Sequence, residues 1–438
     1  MSTRVSRRAF LKHSAAGAGL VILTGSAGIR AYAANNKLNT ALIGAAGRGG
    51  VHLGPAAGEN LIALCDADEG RMAKALAKAP AAKTYTDYRK LFDAHKDLNA
   101  VFVATPDHNH FPAAMRAIDG GAGVYVEKPL TYCIWEARTL TEFARQKKVA
   151  SQMGNQGHSG EGWRNLCEYI WAGAIGDVAE VHCVTDRPTG WWKQGIDRPP
   201  AKPVPQGLNW ESWIGPAPMR EYHDNLHPGG WRGWLDFGAG ALGDMGCHIM
   251  DGAVWALKLG EAKTIEVEAE SSGVNGETFP AWSIVTYKFP ARGSMPPVTL
   301  KWFDGGKRPP RPSDLEPERK EDYGSVFLGS KGTMVADGTG DGARIIPEAK
   351  RQATPRPEKT IPRSPKGHHG DFLEACRGGE PASSNFDYSG PLTEIVLLGN
   401  LAIRLGRKIE YDVVAMKAKN CPEADALIRR TPRPGWYL

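Results

Sequence analysis

The stretch "LNTALIGAAGRGG", Leu38 to Gly50, constrains this chain more than any other. A short apolar run ends in a glycine-rich loop, and the sequence then repeats one theme. Further apolar runs, "NLIALCDAD", "LNAVFVATP", "GVYVEKP" and "VASQMGNQ", have the length of strands. Between them lie "EGRMAKALAKA", "HFPAAMRAIDGG" and "CIWEARTLTEFARQKK", which have helical spacing. Strand and helix in alternation predict a parallel, doubly wound sheet, because parallel neighbours need a long crossover connection. Residues 36–156 have the length of one such unit.

Beyond Gln156 the pattern changes. "EGWRNLCEYIWAG" reads as a helix and "VAEVHCVTDRP" as a strand, and a tract rich in Trp, Gly and Pro runs from Pro188 to Gly240. "GDMGCHIMDGAVWALKLG" reads as one helix. "TIEVEAES", "AWSIVTYKF", "PVTLKWFDG", "SVFLGSKGTMVADG" and "GARIIPE" are strands joined by turns, which predicts a mostly antiparallel sheet. Gly305–Glu321 and Pro347–Lys366 read as loops, and "GDFLEACRGG" and "LTEIVLLGNLAIRLG" as closing helices. The fold class is α/β, with a second unit over 157–438.

The loop "IGAAGRGG" follows a strand and opens a helix. In that context backbone N–H groups receive a pyrophosphate. Counted from Gly44, the G-x-G-x-x-G register puts Ala46 at the second glycine; Gly44, Gly47 and Gly49 give a G-x-x-G-x-G variant instead. Asp66 ends the next strand, 22 residues after Gly44. A carboxylate there binds the adenosine ribose hydroxyls and repels a 2′-phosphate, favouring NAD over NADP. Arg48 sits where a basic side chain can touch a phosphate. The alternative for Asp66 is a helix cap or turn residue.

Residues 1–33 read as an address. "SRRAFLK" precedes an apolar, glycine-rich run and an A-x-A pattern at Ala31 and Ala33. This resembles a twin-arginine signal, which implies export of the folded protein through the twin-arginine translocase, cleavage near Ala33 and a periplasmic location, a route that lets NAD travel tightly bound. The apolar run is too short for a membrane span. The segment also explains the formal charge of +6. Without its five bases, 49 basic residues face 48 acidic ones, so there is no electrostatic case for nucleic acid. The seven cysteines form no C-x-x-C pair, and the adjacent His368 and His369 lack a zinc-ligand spacing, so no metal site is expected.

Asp244 and His248 stand four residues apart in an apolar stretch, on one face of the expected helix. They are either a structural hydrogen-bonded couple or a proton-transfer pair. Together with "ATPDHNH" and "VYVEKPL", the segment "GALGDMGCHIMD" resembles the Gfo/Idh/MocA family, named for glucose–fructose oxidoreductase and inositol dehydrogenase. The likeness extends to "HHGDFLEACRGG" and "LTEIVLLGNLAIR". It implies an N-terminal Rossmann NAD-binding domain and a C-terminal α/β domain with an open, mostly antiparallel sheet for substrate binding and oligomerisation. It implies nicotinamide chemistry on sugars or polyols and a homodimer or homotetramer. By the same resemblance Lys128 reaches the reacting hydroxyl and the nicotinamide ribose, with Glu127 beside that ribose. Asp244 and His248 are the substrate-side carboxylate and catalytic imidazole. Thr105, Pro106, His108 and His110 form the loop under the cofactor, and Asn155 and Gln156 lie near the nicotinamide.

These residue types suit alcohol oxidation. A histidine takes a proton near neutral pH, a lysine stabilises a developing alkoxide, and an aspartate orients the imidazole or binds a neighbouring hydroxyl. Six of the 13 tryptophans fall between Trp191 and Trp234. Flat indole faces suit sugar rings, so Trp191, Trp192 and Trp231 with Arg232 are expected to meet a carbohydrate; the ordinary alternative is core packing. Three functions remain open: an NAD-dependent sugar or glycoside dehydrogenase, an NAD-dependent glycosidase working by oxidation, elimination and re-reduction, and a non-catalytic carbohydrate-binding protein.

Overall fold

The computed structural model describes residues 37–437; the signal-like segment lies outside them. The first sheet contains β1 (Asn39–Ile43), β2 (Asn60–Cys65), β3 (Lys83–Tyr85), β4 (Ala100–Val103), β5 (Gly123–Val126) and β6 (Ser151–Met153). Their order is β3-β2-β1-β4-β5-β6, and every neighbouring pair is parallel. Helices cover both faces, so β4 and β5 are buried throughout, which is why their sequences read as unbroken apolar runs. Strand order reverses between β1 and β4, and a crevice opens at the carboxyl ends of the strands there. The three-residue β3 was not legible in the sequence, because Lys83 and Thr84 are exposed and carry no apolar signal. After the glycine loop the expected helix is broken into a 3₁₀ turn, Gly47–Val51, and a short helix, Leu53–Gly58, in keeping with the Gly and Pro content there.

The second sheet contains β7 (Val178–Val184), β8 (Thr264–Ser271), β9 (Ser283–Phe289), β10 (Val298–Phe303), β11 (Ser325–Gly329), β12 (Gly332–Ala336), β13 (Arg344–Ile346), β14 (Ile409–Asp412) and β15 (Lys417–Ala418). The order is β13-β12-β11-β7-β10-β9-β8-β14-β15, antiparallel except for the β7–β10 pair. The "GDMGCHIMDG" stretch is two helices, Gly240–Ile249 and Asp251–Ala256, joined at Met250, rather than one. The expected loop 347–366 contains the short helix Glu348–Ala353.

The late part of the chain returns to the first unit. Helix Gly367–Cys376 packs Phe372 edge-on against both Phe102 and Tyr125 in the core of the parallel sheet. Helix Phe386–Leu405 packs against helices Ile134–Lys147 and Gly240–Ile249. Its Val396 lies so close to Gly246 that a Cβ there would come within 2.9 Å of it. This buried wedge holds the second unit's helix against the crevice of the first.

Candidate active site

At the crevice, Gly44 and Gly47 adopt φ of +84° and +57°, which side chains other than glycine resist. A Cβ on Gly49 would sit 1.6 Å from the Gly44 carbonyl oxygen. The G-x-x-G-x-G register is therefore the one the backbone uses: two glycines for left-handed turns and one for close packing. The cleft alongside has a volume of about 340 Å³ and is lined at one end by Asp66 and Arg71 and at the other by Lys128, Arg232 and Asp244. The Asp66 carboxylate accepts N–H bonds from Ala45 at 3.1 Å and Asp68 at 3.1 Å, which ties it to the glycine loop. Burial raises its pKa against those bonds. The second unit closes this end, where Asn209 donates its N–H to the Ala67 carbonyl and His227 bonds Asp68 at 2.8 Å.

Glu127 and Lys128 follow β5, and the Lys128–Pro129 peptide is cis. Glu127 is buried; that burial is outweighed by His52, Arg48 and Lys128, which hold its carboxyl well below the usual range. Arg48 Nε donates to it at 2.8 Å and His52 lies 3.1 Å away. Lys128 turns the other way. Its Nζ donates to the Asp244 carbonyl at 2.6 Å and to Asp244 Oδ1 at 2.8 Å. Arg232 reaches the same carboxylate at 3.2 Å and Arg187 at 3.7 Å. Burial works against ionisation of Asp244, yet the three cations keep it anionic.

The expected Asp244–His248 couple does not form. Both lie on helix Gly240–Ile249, but the carboxylate is taken by the cations, and His248 Nδ1 is buried without a partner among the described residues. Burial and the nearby Lys128 push the imidazole down to about 4, so it is neutral. His248 is partly exposed and feels the charges of Lys128, Glu127, Asp244 and Arg48, and Thr105, Pro106, His110 and Glu127 line the cleft. His108 points away; it is fully buried and sits against the Phe237 and Trp213 carbonyls. Asn155 is also buried outside the cleft, bonded to Asp251 at 3.1 Å, and the half-buried Gln156 donates to Tyr125 and to Glu127 of the lining. Among the tryptophans, Trp231 lines the cleft beneath Arg232. Trp192 bonds Gln194, and Trp210, Trp213, Trp231 and Trp234 belong to one local hydrophobic cluster. Trp191 is 65% exposed. Arg187 stacks on it with 3.2 Å from guanidinium to ring centroid, linking the indole to Asp244.

Sequence reasoning passed over Asp107, Arg71, Arg187 and His227. Asp107 stood inside the quoted "ATPDHNH", where its polar neighbours His108, Asn109 and His110 gave no sign of its burial. Arg71 stands on the expected helix Glu69–Lys78, but nothing in its spacing says which face meets the cleft, and Arg187 and His227 depend on loops whose course no periodicity reveals.

The glycine cradle, the carboxylate after β2 and the buried, unpartnered Thr105 Oγ1 fit a dinucleotide. Fold and cleft thus define an NAD-binding oxidoreductase architecture. Two family models match the chain: the NAD-binding Rossmann fold of the oxidoreductase family over residues 38–155 and its C-terminal alpha/beta domain over 173–295. Together they cover more than half the sequence, and the protein belongs to the Gfo/Idh/MocA oxidoreductase family. Inositol 2-dehydrogenase of Salmonella typhimurium is 33% identical over 128 residues, 28% of this chain and 38% of that protein. The chain thus matches well under half the length of this curated relative. In fold, the chain is similar to the WlbA dehydrogenase from Bordetella pertussis, solved with NADH and UDP-GlcNAcA. That likeness has a TM-score of 0.61 and 15% identity, over 86% of this chain and 99% of that one. It is also similar to a levoglucosan dehydrogenase solved with NADH and levoglucosan, with a TM-score of 0.56 and 18% identity, over 85% and 98%.

Proposed function

We propose that the protein oxidises a secondary hydroxyl of a sugar, glycoside or related polyol, with NAD rather than NADP as hydride acceptor. The carrying observation is the Lys128–Asp244 bond, which joins the loop after β5 to the second unit at one end of the nucleotide cleft. Bound there, NAD would supply the acceptor for the hydride. Gly44, Gly47 and Gly49 would hold the pyrophosphate and Asp66 the adenosine ribose. Lys128 would stabilise the negative charge growing on the hydroxyl oxygen, and Asp244 would keep that ammonium in place and charged. His248, neutral and one turn from Asp244, would meet a further hydroxyl. The exposed face of Trp191 would carry a sugar ring beyond Asp244.

The test is to incubate the protein with NAD and a panel of free sugars and aryl glycosides, following nicotinamide absorbance and aglycone release together. NADH formation supports the dehydrogenase. Aglycone release without net NADH supports the glycosidase reading, which the Trp191 platform favours because it leaves room for a second group beyond the oxidised ring. Silence in both channels defeats both readings and leaves the carbohydrate-binding protein. Export through the twin-arginine translocase to the periplasm rests on residues 1–33, and cell fractionation decides it: cytoplasmic protein alone rejects it. A homodimer or homotetramer is the expected assembly, and a monomeric mass by light scattering rejects that.

A further inference from the structure

At the Lys128 end of the cleft three cations converge on one carboxylate. Lys128 comes from the loop after β5, Arg187 from the segment after β7 and Arg232 from the 3₁₀ turn Gly230–Gly233. Asp244 Oδ1 accepts from Lys128 Nζ at 2.8 Å and from Arg232 Nε at 3.2 Å, and Oδ2 faces Arg187 Nη1 at 3.7 Å. Ammonium and carboxylate neutralise each other, so the two guanidiniums are in surplus. Two further acids are near. Asp107 feels Lys128 and Arg232, and Asp186 feels Arg187 from an exposed position where water screens it; neither forms an ion pair with these cations among the described residues.

Both arginines keep donors that no described residue takes. Arg232 donates through Nε to Asp244 and through Nη1 to the Gly229 carbonyl at 3.2 Å, which leaves Nη2. Arg187 makes no guanidinium hydrogen bond among the described residues, since 3.7 Å is too long for one. Yet its side chain is only 17% exposed, lies on the Trp191 ring, and is close enough to Arg232 to feel that charge. A purely structural ion pair would bring its donors onto Asp244. A guanidinium drawn out of water beside a second one, with its donors open, is unfavourable until an acceptor arrives. The exposed Trp191 next to it leaves a path from solvent. The cofactor does not supply that acceptor: its pyrophosphate belongs at the glycine loop, where Arg48 is already bonded to Glu127.

We propose that the substrate is an acidic sugar whose anionic group binds at Arg187 and Arg232, beside Asp244. The proposal rests on the oxidoreductase reading above and names the class of sugar within it. Each guanidinium presents paired N–H groups in one plane, which fit two oxygens of a carboxylate or of a sulfate or phosphate ester. The surplus positive charge offsets the repulsion that Asp244 exerts on an incoming anion. A neutral sugar leaves both guanidiniums without an acceptor, and that is the source of discrimination.

The test uses the full chain loaded with NAD and matched sugars: glucose and galactose, their uronic acids, and their sulfate and phosphate monoesters, each free and as the nitrophenyl glycoside. Binding is read by calorimetry, and turnover by nicotinamide absorbance and nitrophenol release. At least one anionic member should bind roughly ten- to hundredfold more tightly than its neutral parent, and the advantage should shrink with added salt. Arg187→Gln should bring the ratio of anionic to neutral affinity close to one. A variant that is merely damaged loses both members alike and keeps the ratio; if Arg187→Gln fails to fold, Arg232→Gln takes its place. The preferred arm, uronate, sulfate or phosphate, names the anionic group. Equal or weaker binding of every anionic member overturns the proposal, as does a preference that persists in the variant or a panel in which nothing binds. Neutral sugars oxidised while anionic ones are ignored keep the oxidoreductase reading and overturn this inference. Salt- and Arg187-dependent binding with neither NADH nor nitrophenol formed defeats that reading and leaves the acidic-sugar site standing.

Discussion

Two Asp–His neighbourhoods lie on consecutive helices, and they behave in opposite ways. On helix Gly240–Ile249, Asp244 and His248 have ideal helical spacing yet do not bond; the carboxylate faces the cleft and holds Lys128. On the next helix, Asp251 bonds His158 at 3.0 Å from 93 residues away in sequence. It also accepts from Tyr388 and from Asn155 at 3.1 Å, and His158 stacks on Trp255 with centroids 4.1 Å apart. Asp251 is fully buried and lines no part of the cleft. The hydrogen-bonded couple is the one remote from the cleft, and the unbonded one contributes its carboxylate to the candidate site. An Asp–His bond is therefore no guide to catalysis here; access to the cleft and competition for the carboxylate decide.

The sharpest way to break this contrast is Asp251→Ala. It strips His158, Tyr388 and Asn155 of a shared buried acceptor and should cost roughly 3–5 kcal/mol of stability, read as a lower denaturant midpoint. Activity per folded molecule should hold; a selective loss of activity at unchanged stability would put catalysis in the wrong cluster. Lys128→Met should do the reverse, lowering kcat/KM roughly 10²–10³-fold. A collapse of thermal stability with normal turnover of the surviving molecules would make the Lys128–Asp244 bond structural.

Asp107 sharpens the comparison through pH. Its folded pKa of about 7 exceeds the ordinary carboxylate value, so the folded state keeps a proton that the unfolded chain releases. The protein should lose stability as pH rises from about 4 to 7, and Asp107→Asn should remove that loss. The variant should be more stable than wild type by roughly 2–4 kcal/mol at pH 9, with the gain vanishing towards pH 4. Melting curves that stay parallel across this range would show that Asp107 ionises normally. The smallest effect belongs to Trp191→Ala. It should raise KM roughly two- to tenfold for a disaccharide or aryl glycoside and leave that for a monosaccharide unchanged. Equal effects on both would remove Trp191 from the substrate's path.

Much of the cofactor end was legible because its signals are local. The alternation of apolar runs gave the parallel sheet, and the glycine loop with Asp66 followed from the turn chemistry that a strand-to-helix junction demands. The resemblance drew attention to Lys128 and Asp244, but not to the bond between them, since one follows β5 and the other belongs to the second unit. His108 and Asn155 stood in the right loops and still are buried with other partners. Backbone position does not fix side-chain direction when a packed neighbour, such as Trp213 beside His108, offers a partner.

What the sequence determined by itself was the class of architecture and the nucleotide cradle, through periodicity and through glycines at left-handed and close-packed positions. Only the tertiary structure decided which charges meet. Lys128, Arg187 and Arg232 converge on Asp244 from three separate segments, Asp251 finds His158 across the core, and Asp107 is walled in between the two units. Hydrogen bonding and burial act across space, and a carboxyl's charge state depends on desolvation and on neighbours far away in sequence. No spacing along the chain carries that information.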